Sequence, residues 1–270
     1  MEKQRLMDRG RLPLLRIRAL FSVGWGFKLA RVPSLRRLHP WTRLDKTNIR
    51  WLPINQDIEL PTSAPMPPKL LDRFIEEASH RVVYRDCVCR QANKCEHYPI
   101  GIGCLQMGDS ALEAPSSLVR EVSVSEAKEY VANAIDNGLV PVVGKVRIDN
   151  FIFGIKDRAR LLTVCFCCEC CCITRFNRHA PAQYLDSLFP RLDGIRIDVT
   201  DECTGCGTCA EHCYIKAVSI TDGRAVIGDK CRACGRCATM CPNDAVKITI
   251  DDPEFLDKAY DAIRAYVKYN

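Results

Sequence analysis

The sequence predicts an α+β protein: an N-terminal α/β region rich in cysteine, then a smaller domain of two pseudo-symmetric halves, closed by a C-terminal helix. Three observations carry this. Segments with strand-like and helix-like hydrophobic periods alternate through the middle of the chain. A four-cysteine spacing recurs 28 residues after its first occurrence. The final stretch, "DDPEFLDKAYDAIRAYVKYN", has the spacing of an amphipathic helix. With 270 residues, 47% of them apolar, the chain can bury a sizeable core in one large domain or two smaller ones.

Residues 1–60 read as a basic arm. The first fifty carry 13 Lys/Arg against 3 Asp/Glu, a balance of +10 within a chain of net +6, so the rest sums to −4. Pro13, Gly24, Gly26 and Pro33 keep any helix short. The longest charge-free piece, "ALFSVGWGF", is nine residues between Arg18 and Lys28, too few to span a bilayer, and no small-residue cleavage site follows it. The expected place is the cytoplasm, including the inner face of the membrane. There the arm docks on anionic lipid or an acidic protein, or else packs on its own domain. Few aromatics and no basic recognition motif argue against nucleic acid.

Residues 61–190 form the expected cysteine-rich α/β domain. After the connector "LPTSAPMPPK", Leu70, Leu71, Phe74, Ile75 and Ala78 mark the buried stripe of a helix. "RVVYRDCVC" reads as a strand. "SVSEAKEYVANAIDNG" is a helix with a capping box at Ser123 and Glu126 and a terminating Gly138. "LVPVVGKVRI", "FIFGI" and "LLTVCFC" follow as strands. In residues 191–270 the strands shorten to "IRIDV", "AVSI", "AVIG" and "AVKITI", with a turn at Asp222–Gly223. The closing helix has Asp252 as cap, Pro253 in its first position, and apolar residues at 255, 256, 259, 263 and 266.

Eighteen cysteines in three tight groups sit too close in sequence to bridge comfortably, so they point to metal in a reducing compartment. Cys203, Cys206, Cys209 and Cys213 have the spacing C-x2-C-x2-C-x3-C, and Cys231, Cys234, Cys237 and Cys241 repeat it. The strand after each loop repeats too, as "AVSI" and "AVKI". Three such thiols wrap one face of an iron–sulfur cubane, and in this arrangement the fourth comes from the other half. Cys203, Cys206, Cys209 and Cys241 then hold one [4Fe–4S] cluster, and Cys231, Cys234, Cys237 and Cys213 the second. Zinc usually takes two separated C-x2-C pairs, which this doubled spacing does not offer. Residues 195–250 resemble bacterial-type two-[4Fe–4S] ferredoxins, so a ferredoxin-like fold and one-electron transfer are what the resemblance implies. Tyr214 stands where that family usually has proline after the fourth cysteine, as Cys241–Pro242 does. Lys230, Arg232 and Arg236 flank the second loop and Asp201, Glu202 and Glu211 the first, which predicts the higher potential for the cluster on the second.

Ten further cysteines lie upstream: Cys87, Cys89, Cys95 and Cys104, then Cys165, Cys167, Cys168, Cys170, Cys171 and Cys172 in "CFCCECCC". Six thiols on one extended run face both ways and cannot all reach one small cluster. The two groups are expected to converge on one or two additional [4Fe–4S] clusters, with structural zinc or buried free cysteine as other readings. Not all ten are ligands. "DCVCR", "CFCCECCC" and the doubled unit together also resemble a family of multidomain ferredoxin-like proteins of anaerobes, over most of residues 65–250. His97, His179 and His212 are not expected to be ligands. No dinucleotide fingerprint, phosphate loop or flavin site stands out, so electrons are expected to come from redox partner proteins. The function expected is that of an electron-transfer protein or a subunit of an oxidoreductase complex. A reductase with an open N-terminal iron site, and a redox-sensing or metal-transfer module, are the alternatives.

Overall fold

The computed structural model describes residues 27–29, 31–32, 34, 48–54, 68–145, 149, 152–157 and 159–270. Most of the basic arm and its expected membrane or acidic-protein contact lie outside the described residues, as does the connector up to residue 67; its last two residues, Pro68 and Lys69, open the first helix. In chain order the elements begin with β1 (Asn48–Trp51), α1 (Pro68–Glu77), β2 (Arg81–Tyr84), α2 (Val88–Ala92), β3 (Leu105–Met107), β4 (Val119–Glu121), α3 (Val124–Asp136), β5 (Val140–Lys145) and β6 (Leu162–Cys167). Then come α4 (Ala182–Leu188), β7 (Ile195–Val199), α5 (Thr208–Glu211), β8 (Val218–Thr221), β9 (Arg224–Ile227), α6 (Arg236–Thr239), β10 (Val246–Ile250) and α7 (Phe255–Arg264). The protein is of the α+β class.

Six strands form one sheet in the order β1-β5-β6-β3-β2-β4, and every pair in it is antiparallel. The central strands read as near-continuous apolar runs because both faces are covered: β5 buries Val140 to Gly144, and β6 buries all but Cys165. α1 and α3 pack against each other, and α3 also lies on β2 and β5. The start of α3 is fixed by the expected capping box, in which Ser123 Oγ accepts from the Glu126 amide and Glu126 Oε2 from the Ser123 amide at 2.8 Å. β1 is an edge strand, and from it Trp51 packs on Phe189 at 5.3 Å between ring centroids. The described parts of the arm are thus packed on the protein: Phe27 also meets Phe189, and Arg31 Nε donates to the His179 carbonyl at 2.9 Å.

The doubled unit contributes two ribbons, β7–β10 and β8–β9. The closing helix α7 does not pack on this unit alone. Its Tyr260 stacks on Phe74 of α1 at 4.8 Å, Asp257 pairs with Arg73 at 2.7 Å, and Tyr269 beyond the helix donates its hydroxyl to Glu77 at 3.0 Å. One buried cluster therefore runs from Phe27 to Tyr269.

Four local expectations are corrected. The strand in "RVVYRDCVC" ends at Tyr84; the chain bends at Arg85–Asp86, and Cys87 caps α2. In "FIFGI", Ile152 and Phe153 are helical, since an isolated apolar run does not by itself set the period. α7 begins at Phe255, because Asp252 Oδ1 takes the Glu254 amide at 2.9 Å in a turn before the helix. On that helix Tyr260 is buried, whereas Tyr266 lies beyond its end and is exposed.

Candidate metal centres

The duplicated sequence becomes a duplicated backbone. Gly205 and Ala233, Gly207 and Gly235, and Lys216 and Asp244, each pair 28 residues apart, all have positive φ between 49° and 85°. A side chain at Gly205 would collide with the backbone of Gly223 in the β8–β9 turn, whereas its counterpart is Ala233. The left-handed Gly207 and Gly235 start the single-turn helices α5 and α6, which pack on each other. Four amides point at thiols: Ala217 to Cys213 and Ala245 to Cys241, both at 3.2 Å, Ala225 to Cys203 at 3.3 Å, and Ala233 to Cys231 at 3.4 Å. Such donors favour thiolate over thiol.

Cys213, from the first loop, lines one pocket together with Cys231, Cys234 and Cys237 of the second; Trp51, Tyr214, Arg232 and Arg236 are among the other residues of its wall. The reverse crossing is drawn together by Asn243, two residues after Cys241, which donates to the Thr204 hydroxyl at 2.8 Å next to Cys203. Cys209, Val218 and Ala225 form a small apolar shell that also touches Cys203, Cys213 and Cys237. Burial pushes the thiols of Cys231 and Cys234 up, and that of Cys237 up to about 12; the exposed Cys206 is lowered by the Thr208 hydroxyl. Thiols so placed become thiolates only against positive charge.

Arg232 tests whether an anionic cluster fits. It is 4% exposed, and Nη1 donates to Asp186 at 2.7 Å, yet Nε and Nη2 have no partner; the same holds for Nε of Arg236. A buried N–H without an acceptor is costly. Both guanidinium groups stand on the wall of the four-thiol pocket, where thiolate and sulfide sulfurs are the acceptors that would satisfy them. The residues present fit the group.

The ten upstream thiols separate. β6 stops at Cys167 and the chain curls into a turn, so the dense run does not stay extended. Cys165 meets Cys104 at 3.3 Å between sulfurs, and Cys167 meets Cys172 at 2.9 Å. Cys172 also hydrogen-bonds Cys89, which bonds Cys87, and Cys167 and Cys89 hold the Cys172 thiol well below its usual range. Cys95, Cys168, Cys170 and Cys171 make a separate set with all four sulfurs within 4.8 Å of one another. Fully buried Arg90 lies against both sets. It donates to the carbonyls of Pro99, Phe166 and Ile102, hydrogen-bonds Cys168 and feels the charge of Cys87. Among the described residues no carboxylate pairs with it, and the titratable groups that act on it are the thiols of Cys87, Cys168 and Cys172. Gly103 lets the loop before Cys104 press on the Tyr84 backbone where a Cβ would collide.

Two contacts join the upstream thiols to the doubled unit. Tyr214 donates its hydroxyl to the Cys167 carbonyl at 2.7 Å. Glu169, between Cys168 and Cys170, pairs with Arg236 at 2.9 Å and accepts from the Tyr98 hydroxyl at 2.9 Å. His212 stands 3.6 Å from Glu169, His97 is exposed, and the carbonyl of His179 takes Arg31. In the sequence Tyr214 stands out only as a missing proline, and Glu169 has no signal beyond its place between Cys168 and Cys170. Arg90 is signalled by its position directly after Cys89.

Paired cysteine loops on short antiparallel ribbons, with amides aimed at sulfur, define a ferredoxin-type iron–sulfur domain. Residues 225–247, which hold Cys231, Cys234, Cys237 and Cys241, match the 4Fe-4S binding domain family, Fer4. The chain thus carries such a domain and at least one [4Fe–4S] cluster. No curated protein and no solved structure matches it. No helix among the described residues is long and apolar enough to cross a membrane.

Proposed function

We propose that the protein is an electron-transfer carrier or redox-complex subunit whose doubled unit holds two [4Fe–4S] clusters, on Cys203, Cys206, Cys209 and Cys241 and on Cys231, Cys234, Cys237 and Cys213. The carrying observation is the pocket that gathers Cys213 with the three thiols of the other loop beside unpartnered guanidinium N–H groups. When bound, the clusters supply one-electron oxidation and reduction at low potential. The surrounding residues do the rest. Trp51 and the amide of Ile54, which donates to the Cys234 carbonyl at 3.2 Å, cover the second loop, while Cys206 stays exposed and marks the face a redox partner protein would approach. Cys87, Cys89, Cys104, Cys165, Cys167 and Cys172 supply the ligands of one further cluster, and the bond from Tyr214, on the wall of the four-thiol pocket, to the Cys167 carbonyl ties it to that pocket. Six thiols for one cluster leave spares to fill any vacant iron position, which counts against the reductase reading.

Iron and sulfide analysis after anaerobic purification, with Mössbauer spectra, tests this. About twelve irons with equal sulfide are expected, by the four-iron arithmetic of cubanes. Colourless protein, or zinc in place of all iron and sulfide, would refute it.

A further inference from the structure

We infer that Cys95, Cys168, Cys170 and Cys171 form a closed mononuclear centre for one tetrahedral divalent ion of the zinc class, distinct from any sulfide-containing cluster. The inference does not depend on what the doubled unit binds. Its basis is distance. The four sulfurs all lie within 4.8 Å of one another, and those of Cys95 and Cys170 are 3.6 Å apart. An ion bonded to sulfur at about 2.3 Å sets tetrahedral neighbours about 3.8 Å apart. A cubane places an iron and shared sulfides between each pair of thiolates and needs a wider cage. Among the described residues this is the one such compact set, and the eight thiols of the doubled unit do not form another.

The chain around the set is built to hold it. Three of the thiols come from the single turn after β6, and the fourth from the loop after α2, whose Cys95 amide donates to the Arg90 carbonyl at 2.9 Å. Asn93 clamps the two pieces by donating to the Cys89 carbonyl at 2.7 Å and the Cys171 carbonyl at 3.3 Å; Arg175 in turn donates to Asn93 Oδ1 at 3.3 Å and to the carbonyls of Cys171 and Cys172. Charge balances as well. Four thiolates around a divalent ion carry a net charge of −2, and two guanidinium groups serve it, Arg90 on Cys168 and Arg175 beside Cys171.

All-thiolate, four-coordinate and without an open position, the centre is structural. It ties the loop of Cys95 to the turn that carries Glu169. Through the Glu169–Arg236 pair, it holds that turn against the second cysteine loop.

The test uses the full chain, produced anaerobically with Zn2+ or Co2+ in the medium. Expected are about one zinc per chain unaccompanied by sulfide, and tetrahedral cobalt–thiolate bands in the cobalt-grown protein. The paired variant Cys170→Ser, Cys171→Ser should lose both while iron, sulfide and the cluster EPR signals stay. Loss of about four irons and four sulfides from that variant, with no zinc in the parent, would overturn the inference, as would zinc that the variant retains. If the variant does not fold, zinc-edge X-ray absorption on the parent decides: four sulfurs at about 2.3 Å are expected, and nitrogen or oxygen in the shell overturns it. Absence of sulfide with zinc present would sink the cluster reading and leave this one standing.

Discussion

The basic residues flanking the second loop, Arg232 and Arg236, are buried, and each already has a carboxylate partner, Asp186 and Glu169. Counting charges along the sequence overstates their effect, because a paired guanidinium presents little net field. What remains is directional: the unpartnered Nε and Nη2 of Arg232 beside the four-thiol pocket. Those donors favour the more negative, reduced state of whatever the thiols hold. Arg232→Ala should therefore lower the midpoint of one cluster by tens of millivolts, where about 59 mV is a tenfold change in a one-electron equilibrium. Asp186→Asn, which frees the guanidinium, should raise the same midpoint. An EPR-monitored redox titration in which both variants match the parent would remove this role. Gly205 and Ala233 make a second test of the repeat. Both have left-handed φ, but only Gly205 is pressed against Gly223, so Gly205→Ala should cost about 1–3 kcal/mol and loosen iron on the first loop. Ala233→Gly should leave iron content unchanged; equal iron loss from the two variants would contradict the asymmetry.

At the scale of elements, β2, β3 and β6 enclose a polar group with a pH signature. Burial pushes the Asp149 carboxyl up to about 7, against hydrogen bonds from Thr163 and Gln106 that pull it down. The folded state therefore keeps a proton that the unfolded chain releases near pH 4, so stability falls as pH rises from about 4 to about 7 and stays reduced above. The full effect is of order 4 kcal/mol. Asp149→Asn should flatten the fall, seen as a smaller difference between unfolding midpoints at about pH 5 and about pH 8. An unchanged difference would show that the proton is held elsewhere. This network was invisible in the sequence, since it joins residues of separate strands through side chains. The strands and helices themselves were mostly legible: α1, α3, β5, β6 and the doubled ribbons follow from hydrophobic period, the capping box and the Asp222–Gly223 turn. Two of the misses lie where the sequence has no clear period. Cys87 follows the polar pair Arg85–Asp86, and its amide donates to the Ile100 carbonyl at 2.7 Å, a contact outside the run, while Ile152 and Phe153 lie in a short apolar run with no period of its own. Within the sites, spacing exposed the repeat because the cysteines of each loop are close in sequence. The division of the ten upstream thiols depends on the turn after Cys167 and on contacts such as Cys104 with Cys165, which span 61 positions and leave no mark on either segment.

Across the whole molecule, burial is uneven in a way that orders the two halves of the doubled unit. Cys206 is exposed, Cys203 half-buried and Cys209 buried, whereas Cys231 is buried, Cys234 and Cys237 are half-buried, and their pocket is covered by Trp51, itself 2% exposed and wedged on Phe189. The cover comes from β1, far along the chain, and its place on the sheet edge beside β5 is fixed by four register pairs from Asn48↔Lys145 to Trp51↔Val142. Solvent, oxidant and chelator therefore reach the first set of thiols through the exposed Cys206, and the second only through opening of the arm or the sheet edge. Iron should accordingly leave in two stages under a mild oxidant with a chelator present, the first stage removing the EPR signal that Cys206→Ser perturbs. Trp51→Phe keeps an aromatic on Phe189 but opens a gap over Cys234, so it should speed the second stage and leave the first unchanged. Release in one stage, or a first stage that answers to Trp51→Phe, would mean that both sites open through a common motion of the fold and that the β1 cover does not govern access.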